Sequence, residues 1–229
     1  MKKLLLTALF GLFAVTGFSQ ISLDVHGGMT MNNFTGGDAK SYDMKVGYTF
    51  GVGVNYELTD MWSVQSGINI TQKGASYEYA DEDGYAKEKY NPIYLELPIM
   101  GALNINITDN IKFIANAGPY FAYGIGGKLK SEEYMDTYYE EVTIYKESSN
   151  CFGKDKDGLK VFDKRFDMGI QYGIGFEINN HYMIKLQGQN GFLNCIKDFD
   201  EIDDYDGGYK TIYNNLKNMS FSITLGYKF

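Results

Sequence analysis

The chain has 229 residues, with 21 basic against 29 acidic side chains for a net charge of −8, and a mean hydropathy of −0.29. So acidic a balance argues against a nucleic-acid partner, and no apolar run reaches the ~20 residues that a transmembrane helix needs. With 27 Gly, 20 Tyr and 15 Phe beside only 3 Pro, the composition is that of a β-rich single domain without linker-like or low-complexity segments.

Lys2 and Lys3, the apolar run Leu4 to Val15, and the small residues Gly17 and Ser19 have the form of a secretory signal peptide cleaved before Gln20. Residues 1–19 are expected to be removed, leaving 20–229 as one domain; the loss of two lysines moves the net charge from −8 to −10. No Cys stands near the cleavage site to carry a lipid anchor.

Beyond the leader, side chains alternate in steps of two, the period of a β-strand with one apolar and one polar face. The first strand, about 20–32, sets Ile21, Leu23, Val25 and Met29 against Ser22, Asp24, His26 and Gly28. The second, about 46–58, has seven apolar positions in register from Val46 to Leu58, opposite Gly47, Thr49, Gly51, Gly53, Asn55 and Glu57. The third, about 62–73, turns out Trp62, Val64, Ile68 and Ile70. The fourth, about 90–105, carries Ile93, Leu95, Leu97, Ile99, Leu103 and Ile105, and the fifth, about 111–126, Phe113, Ala115, Ala117, Phe121, Tyr123 and Ile125. The sixth, about 166–178, places Met168, Ile170, Tyr172, Ile174, Phe176 and Ile178 opposite Asp167, Gly169, Gln171, Gly173, Gly175 and Glu177. The seventh, about 182–192, has Tyr182, Ile184 and Leu186 against Met183, Lys185, Gln187 and Gln189. The last twelve residues alternate Met219, Phe221, Ile223, Leu225, Tyr227 and Phe229 with Ser220, Ser222, Thr224, Gly226 and Lys228.

Connections alternate in length as well. Thr59 to Met61, Asn106 to Asn110 and Asn179 to His181 are tight, whereas 33–45, 74–89, 127–165 and 193–217 are long and polar. This predicts an all-β fold: an eight-stranded antiparallel transmembrane β-barrel with three short periplasmic turns and four long extracellular loops. A lipocalin-type barrel or a β-sandwich would instead bury the apolar face. Sidedness favours the membrane, because the polar face is sparse and Gly-rich while the apolar face carries Tyr56, Trp62, Tyr182, Tyr227 and Phe229 at one end and Tyr48 and Tyr123 at the other, as interfacial girdles do.

The segments Tyr94–Ile99 (YLELPI), Ala117–Tyr120 (AGPY), Arg165–Gly169 (RFDMG) with Gly173–Gly175 (GIG), and Gly191–Asn194 (GFLN) resemble the recurring motifs of the PorT-like, "porin family" outer-membrane β-barrel proteins of Bacteroidota. The resemblance implies an outer-membrane barrel of OmpA/OmpX-like architecture, mostly of unassigned activity, and brings no catalytic residues. The closing strand, with Leu225, Tyr227 and a final Phe229, is similar to the assembly signal of outer-membrane barrels, which implies the barrel-assembly machinery as a partner during biogenesis. Pro98 and Pro119 fall inside strands, where a missing N–H interrupts the ladder. A turn centred near Thr108 would pair 98 with 118 and 97 with 119, predicting a shared bulge that uses the freedom of Gly118.

Inward positions Asp24, Glu57, Glu96, Lys112, Asp167, Glu177 and Lys185 place ionisable groups in one narrow lumen. Because eight strands enclose only enough room for their own side chains, these predict a structural charge network rather than an acid/base site. Asp24 and His26 share a face as base and orienter would, but no suitably placed nucleophile accompanies them, so no enzyme and no cofactor are expected. His181 is an isolated turn residue. Cys151 and Cys195, an even count in an exported chain, are a candidate disulfide. Asp198, Asp200, Glu201, Asp203, Asp204 and Asp206 are weak Ca²⁺ candidates that lack EF-hand spacing, and a solvated acidic loop, or one bridged to lipopolysaccharide by divalent cations, is the competing reading. Tyr77, Tyr79, Tyr85, Tyr134, Tyr138, Tyr139 and Tyr145 mix with acidic residues in long loops, which suits surface recognition or strands protruding as a hairpin. The function expected is a binding or structural role at the cell surface, probing a surface ligand or outer-membrane lipid and lipopolysaccharide. The alternatives are an accessory barrel of a secretion or assembly complex and, further off, a small-solute channel.

Overall fold

A computed structural model describes residues 20–37, 39, 42–80, 84–136, 142–153, 162, 164–195, 199–201, 210–212 and 215–229. Eight strands form a ring: β1 (Ile21–Thr35), β2 (Lys45–Glu57), β3 (Trp62–Gln72), β4 (Gly84–Thr108), β5 (Ile111–Asp136), β6 (Phe166–Ile178), β7 (Tyr182–Asn194) and β8 (Lys217–Lys228). Each pairs antiparallel with its chain neighbour, and β1 pairs with β8 from Asp24↔Lys228 to Thr35↔Lys217, which closes the ring. Closure leaves the ring without an open edge, the condition for strands to cross lipid.

The alternation follows the expected faces. Val25, Met29, Phe50, Ile68, Leu97, Ile174, Leu186 and Leu225 are exposed on the outside, while Asp24, Thr30, Asn69, Glu96, Gln171, Gln189 and Thr224 are buried inside. At the end with tight turns, Tyr182 and Phe229 pack edge-on against Tyr227, and His181 stacks on the same ring. The three-residue turn before β7 puts Asn179 and Asn180 in the left-handed region (φ 53° and 59°), which Asn tolerates better than most residues.

The Pro98/Pro119 expectation is corrected in register. The hairpin turns at Asp109 and Asn110, so Pro98 lies opposite Tyr120 and Leu97 opposite Phe121. The β4–β5 ladder is interrupted between Pro98 and Gly101 and resumes unshifted, and the β3–β4 ladder skips from Ser66↔Ile99 to Asn69↔Glu96. Ser66 Oγ donates to Pro98 O at 2.8 Å beside that gap. The prolines therefore interrupt pairing without the predicted bulge.

The greater departure is outside the lipid band. A tilted strand crosses with ~9–11 residues, yet β4 has 25 and β5 has 26. Their pairing continues from Thr108↔Ile111 to Gly84↔Met135. Strands Ser76–Ala80 and Val142–Asn150, within segments expected to be loops, flank this hairpin, and Tyr42–Asp43 adds to the first of them. The hairpin option of the sequence reading thus describes the backbone. Charged residues, Lys87, Glu88 and Lys89 among them, interrupt the alternation in this extension, so the two-step hydropathy signal fades although cross-strand pairs such as Lys87–Glu78 at 2.6 Å remain. Gly127, at φ +122°, marks where β5 leaves the barrel; a Cβ there would lie 2.1 Å from Asn91 O.

Candidate functional site

The lumen is filled in three tiers. At the tight-turn end Lys228 Nζ bonds Glu177 at 2.6 Å, and Lys112 lies 3.7 Å from Glu177 and 3.9 Å from Glu57. In the middle His26 meets Asp24 through Nδ1 at 2.7 Å and Asn69 through Nε2 at 3.0 Å. Lys185 lines the same small cavity. Both imidazole nitrogens are thereby engaged by barrel side chains, and the cavities beside them measure about 40 and 20 Å³, room for waters but not for a substrate.

The upper tier centres on Lys73, which the sequence reading left out of the charge network. It is 1% exposed, 2.8 Å from Glu96 and 3.5 Å from Asp167, and lies over the Tyr120 ring at 4.3 Å and the Tyr94 ring at 5.5 Å. Thr71 and Gln189 donate to Glu96 Oε2, and Tyr120 and Asn218 donate to Asp167 Oδ2. One ammonium is thus shared by two fully buried carboxylates, each with one oxygen that accepts two side-chain bonds, while Asp167 Oδ1 has no hydrogen-bond partner among the described residues. The signal for Lys73 was present: continuing the inward series Ser63, Gln65, Asn69 and Thr71 by one more step reaches it.

Above this tier, Phe34, Tyr90, Tyr94, Tyr120, Phe152, Phe162 and Leu216 pack as an apolar core. Tyr42 and Tyr77 pack at its side, with ring centroids 5.8 Å apart. Tyrosines expected as recognition groups are therefore partly structural. Tyr90 donates a short bond to Glu88, and burial pushes the phenols of Tyr90 and Tyr42 above their ordinary range.

All seven lumen positions expected from the sequence point inward; Glu57, Lys112 and Glu177 come together, Glu96 and Asp167 meet through Lys73, and Asp24 pairs with His26 rather than with a lysine. The candidate disulfide is not formed. Cys151 and Cys195 are both thiols buried in the apolar core, and Cys195 Sγ donates to Leu216 O at 3.2 Å. Pairing in long loops depends on tertiary placement that an even count does not contain. Among the Ca²⁺ candidates, Asp198, Asp203, Asp204 and Asp206 lie outside the described residues, and Asp200 and Glu201 are described only as backbone in the ribbon Phe199–Glu201 with Lys210–Ile212. Tyr138 and Tyr139, like the leader 1–19, also lie outside them.

Burial pushes the Cys151 thiol up to about 11 from an ordinary 9.0. The folded thiol then keeps its proton where the unfolded one loses it, so its contribution to stability is complete below pH 9 and lost as pH rises through about 11. A maleimide reagent at pH 8 is expected to leave Cys151 unmodified in the folded barrel and to label it after heat denaturation, read by mass spectrometry; rapid labelling of the unheated protein would contradict this burial.

A closed antiparallel ring of eight strands, apolar outside and polar within, is the architecture of an outer-membrane β-barrel. The chain belongs to the family described as outer membrane protein beta-barrel domain, whose model matches residues 17–196. No curated protein matches it. Among solved structures it is similar to Ail, the attachment invasion locus protein of Yersinia pestis, in complex with the heparin analogue sucrose octasulfate (12% identity, 91% of this chain and 97% of that one, TM-score 0.41). It is also similar to Neisserial surface protein A (9% identity, 90% and 97%, TM-score 0.39) and to OprG of Pseudomonas aeruginosa (10% identity, 91% and 95%, TM-score 0.39).

Proposed function

We propose that this outer-membrane barrel is a non-conducting surface protein, whose lumen serves stability and whose extracellular layer serves binding. The observation that carries this reading is the occlusion of the lumen: the Lys73–Glu96–Asp167 tier fills the upper barrel and the Phe34–Phe162 core lies over it. A pore needs a continuous wet path, and buried ion pairs beneath packed aromatics oppose one. The extension of β4 and β5 supplies a rigid platform for contacts beyond the lipid. Reconstituted in planar bilayers, the protein is expected to give no stable conductance above baseline; long-lived open steps in every insertion would refute the reading and favour a small-solute channel.

A second reading, an accessory barrel of a secretion or assembly complex, follows the PorT-like resemblance. It is favoured by the strand Val142–Asn150, which pairs only with β5 among the described residues and leaves an edge that a partner chain can extend. Recovery of a defined multiprotein complex after mild solubilisation would favour it over the lone barrel. In either reading Leu225 and Tyr227, exposed on the outer face of β8, and Phe229, exposed just beyond its end, remain the proposed contacts for the barrel-assembly machinery.

A further inference from the structure

A cleft of about 460 Å³ lies at the extracellular rim, where β5 meets β6. Its lower lip is Tyr123 and Phe166, paired across the two strands and 53% and 47% exposed on the lipid-facing side. Its wall is Phe152 and Phe162, buried in the extracellular core with ring centroids 5.5 Å apart. Lys164 and Arg165, both exposed, stand two residues and one residue before Phe166 and line the same space.

Arg165 is held in place. Its Nη1 donates to Gly124 O at 3.0 Å, its Nη2 to Phe152 O at 3.3 Å, and its guanidinium sits 5.3 Å from the Phe152 ring centroid. Two carbonyls thus occupy part of a five-donor fork, and the remaining N–H groups have no hydrogen-bond partner among the described residues. No carboxylate among the described residues pairs with Lys164 or Arg165. In a chain with net charge −8, a fixed guanidinium and an adjacent ammonium at the headgroup level form a positive pair without a carboxylate partner among the described residues.

We propose that this cleft binds the phosphorylated headgroup of an outer-leaflet glycolipid. Arg165 presents a planar fork and Lys164 a point charge, the two ways in which side chains recognise phosphate. The acyl chains then lie on Tyr123 and Phe166, since the cleft is continuous with the lipid-facing band and not with the lumen. That continuity selects a lipid over free phosphate, and a site of this volume suits a sugar-phosphate headgroup. The inference goes beyond surface display, and lipid retention is scored independently of conductance, so either can fail alone.

The test is native mass spectrometry of the full chain in detergent, with diphosphoryl lipid A, fully dephosphorylated lipid A and inorganic phosphate as probes. Wild type is expected to retain one diphosphoryl lipid A, to retain the dephosphorylated form about tenfold less, and to lose neither on adding equimolar inorganic phosphate. K164Q and R165Q are each expected to lower retention of diphosphoryl lipid A by about tenfold. Because R165Q also removes bonds to Gly124 O and Phe152 O, K164Q, whose side chain makes no bond within the described residues, is the variant that leaves folding intact. Equal retention by K164Q and wild type, equal retention of the dephosphorylated lipid, or displacement by equimolar phosphate would each overturn the proposal.

Discussion

Replacing Lys73 with methionine is expected to destabilise the folded barrel by about 3–5 kcal/mol, because it removes the only cation within ion-pair distance of Glu96 and Asp167 among the described residues. Both acids are 2% exposed or less, so neither can recover its lost partner by turning to solvent. The measurement is the midpoint and slope of urea unfolding in detergent micelles, followed by the gel mobility of the folded species. The triple variant K73M/E96Q/D167N removes the orphaned charges together with their partner, and is expected to recover most of the loss, since uncharged amides keep the bonds from Thr71, Gln189, Tyr120 and Asn218 at lower desolvation cost. A single variant as stable as wild type would show that the buried ion pair contributes nothing to holding the upper lumen.

Gly28 to valine is expected to act at the seam that closes the barrel. Gly28 pairs with Thr224 across β1 and β8, and a Cβ at that position would lie 1.9 Å from Ile223 O and 2.7 Å from Thr224 Cα. The obstructing atoms are backbone, which cannot move aside without parting the ladder, so the cost exceeds the 1–3 kcal/mol or so typical of an overpacked side chain. The expected result is a lower temperature at which the folded band is lost on gels, with β1–β8 opening before the other seams in amide hydrogen exchange. An unchanged transition temperature would mean that the seam has slack the closed ring does not display.

The barrel was legible because lipid and lumen impose opposite demands on alternate residues. Seven odd-and-even sets, from Val46–Leu58 to Met219–Phe229, could be assigned to faces without knowing a single contact. Where that constraint ends, so does the signal. Val142–Asn150 and the outer halves of β4 and β5 pair by backbone in water, where Lys87, Glu88 and Lys89 satisfy either face, and they read as polar loop. Lys73 was missed because a lysine next to Gly74 at the start of a long loop looks solvated; only the partners contributed by β4 and β6, distant in sequence, make it the centre of the upper lumen. The proline register failed by two residues because the turn between β4 and β5 was centred on Thr108 rather than on Asp109 and Asn110. The cysteines were recognisable as a pair by count, but their placement rests on packing against Phe152, Phe162 and Leu216 that no spacing rule supplies.

The most direct test of a closed transmembrane ring is mobility in SDS before and after boiling, with the same samples fractionated between periplasm and outer membrane. A barrel whose ring has no open edge and whose β1–β8 seam is shut resists SDS until heated, so the account predicts a compact band that shifts on boiling and a chain recovered with the outer membrane. A protein found soluble in the periplasm with one mobility at both temperatures would contradict it, because the apolar faces of all eight strands would then have to point inward around a ligand cavity.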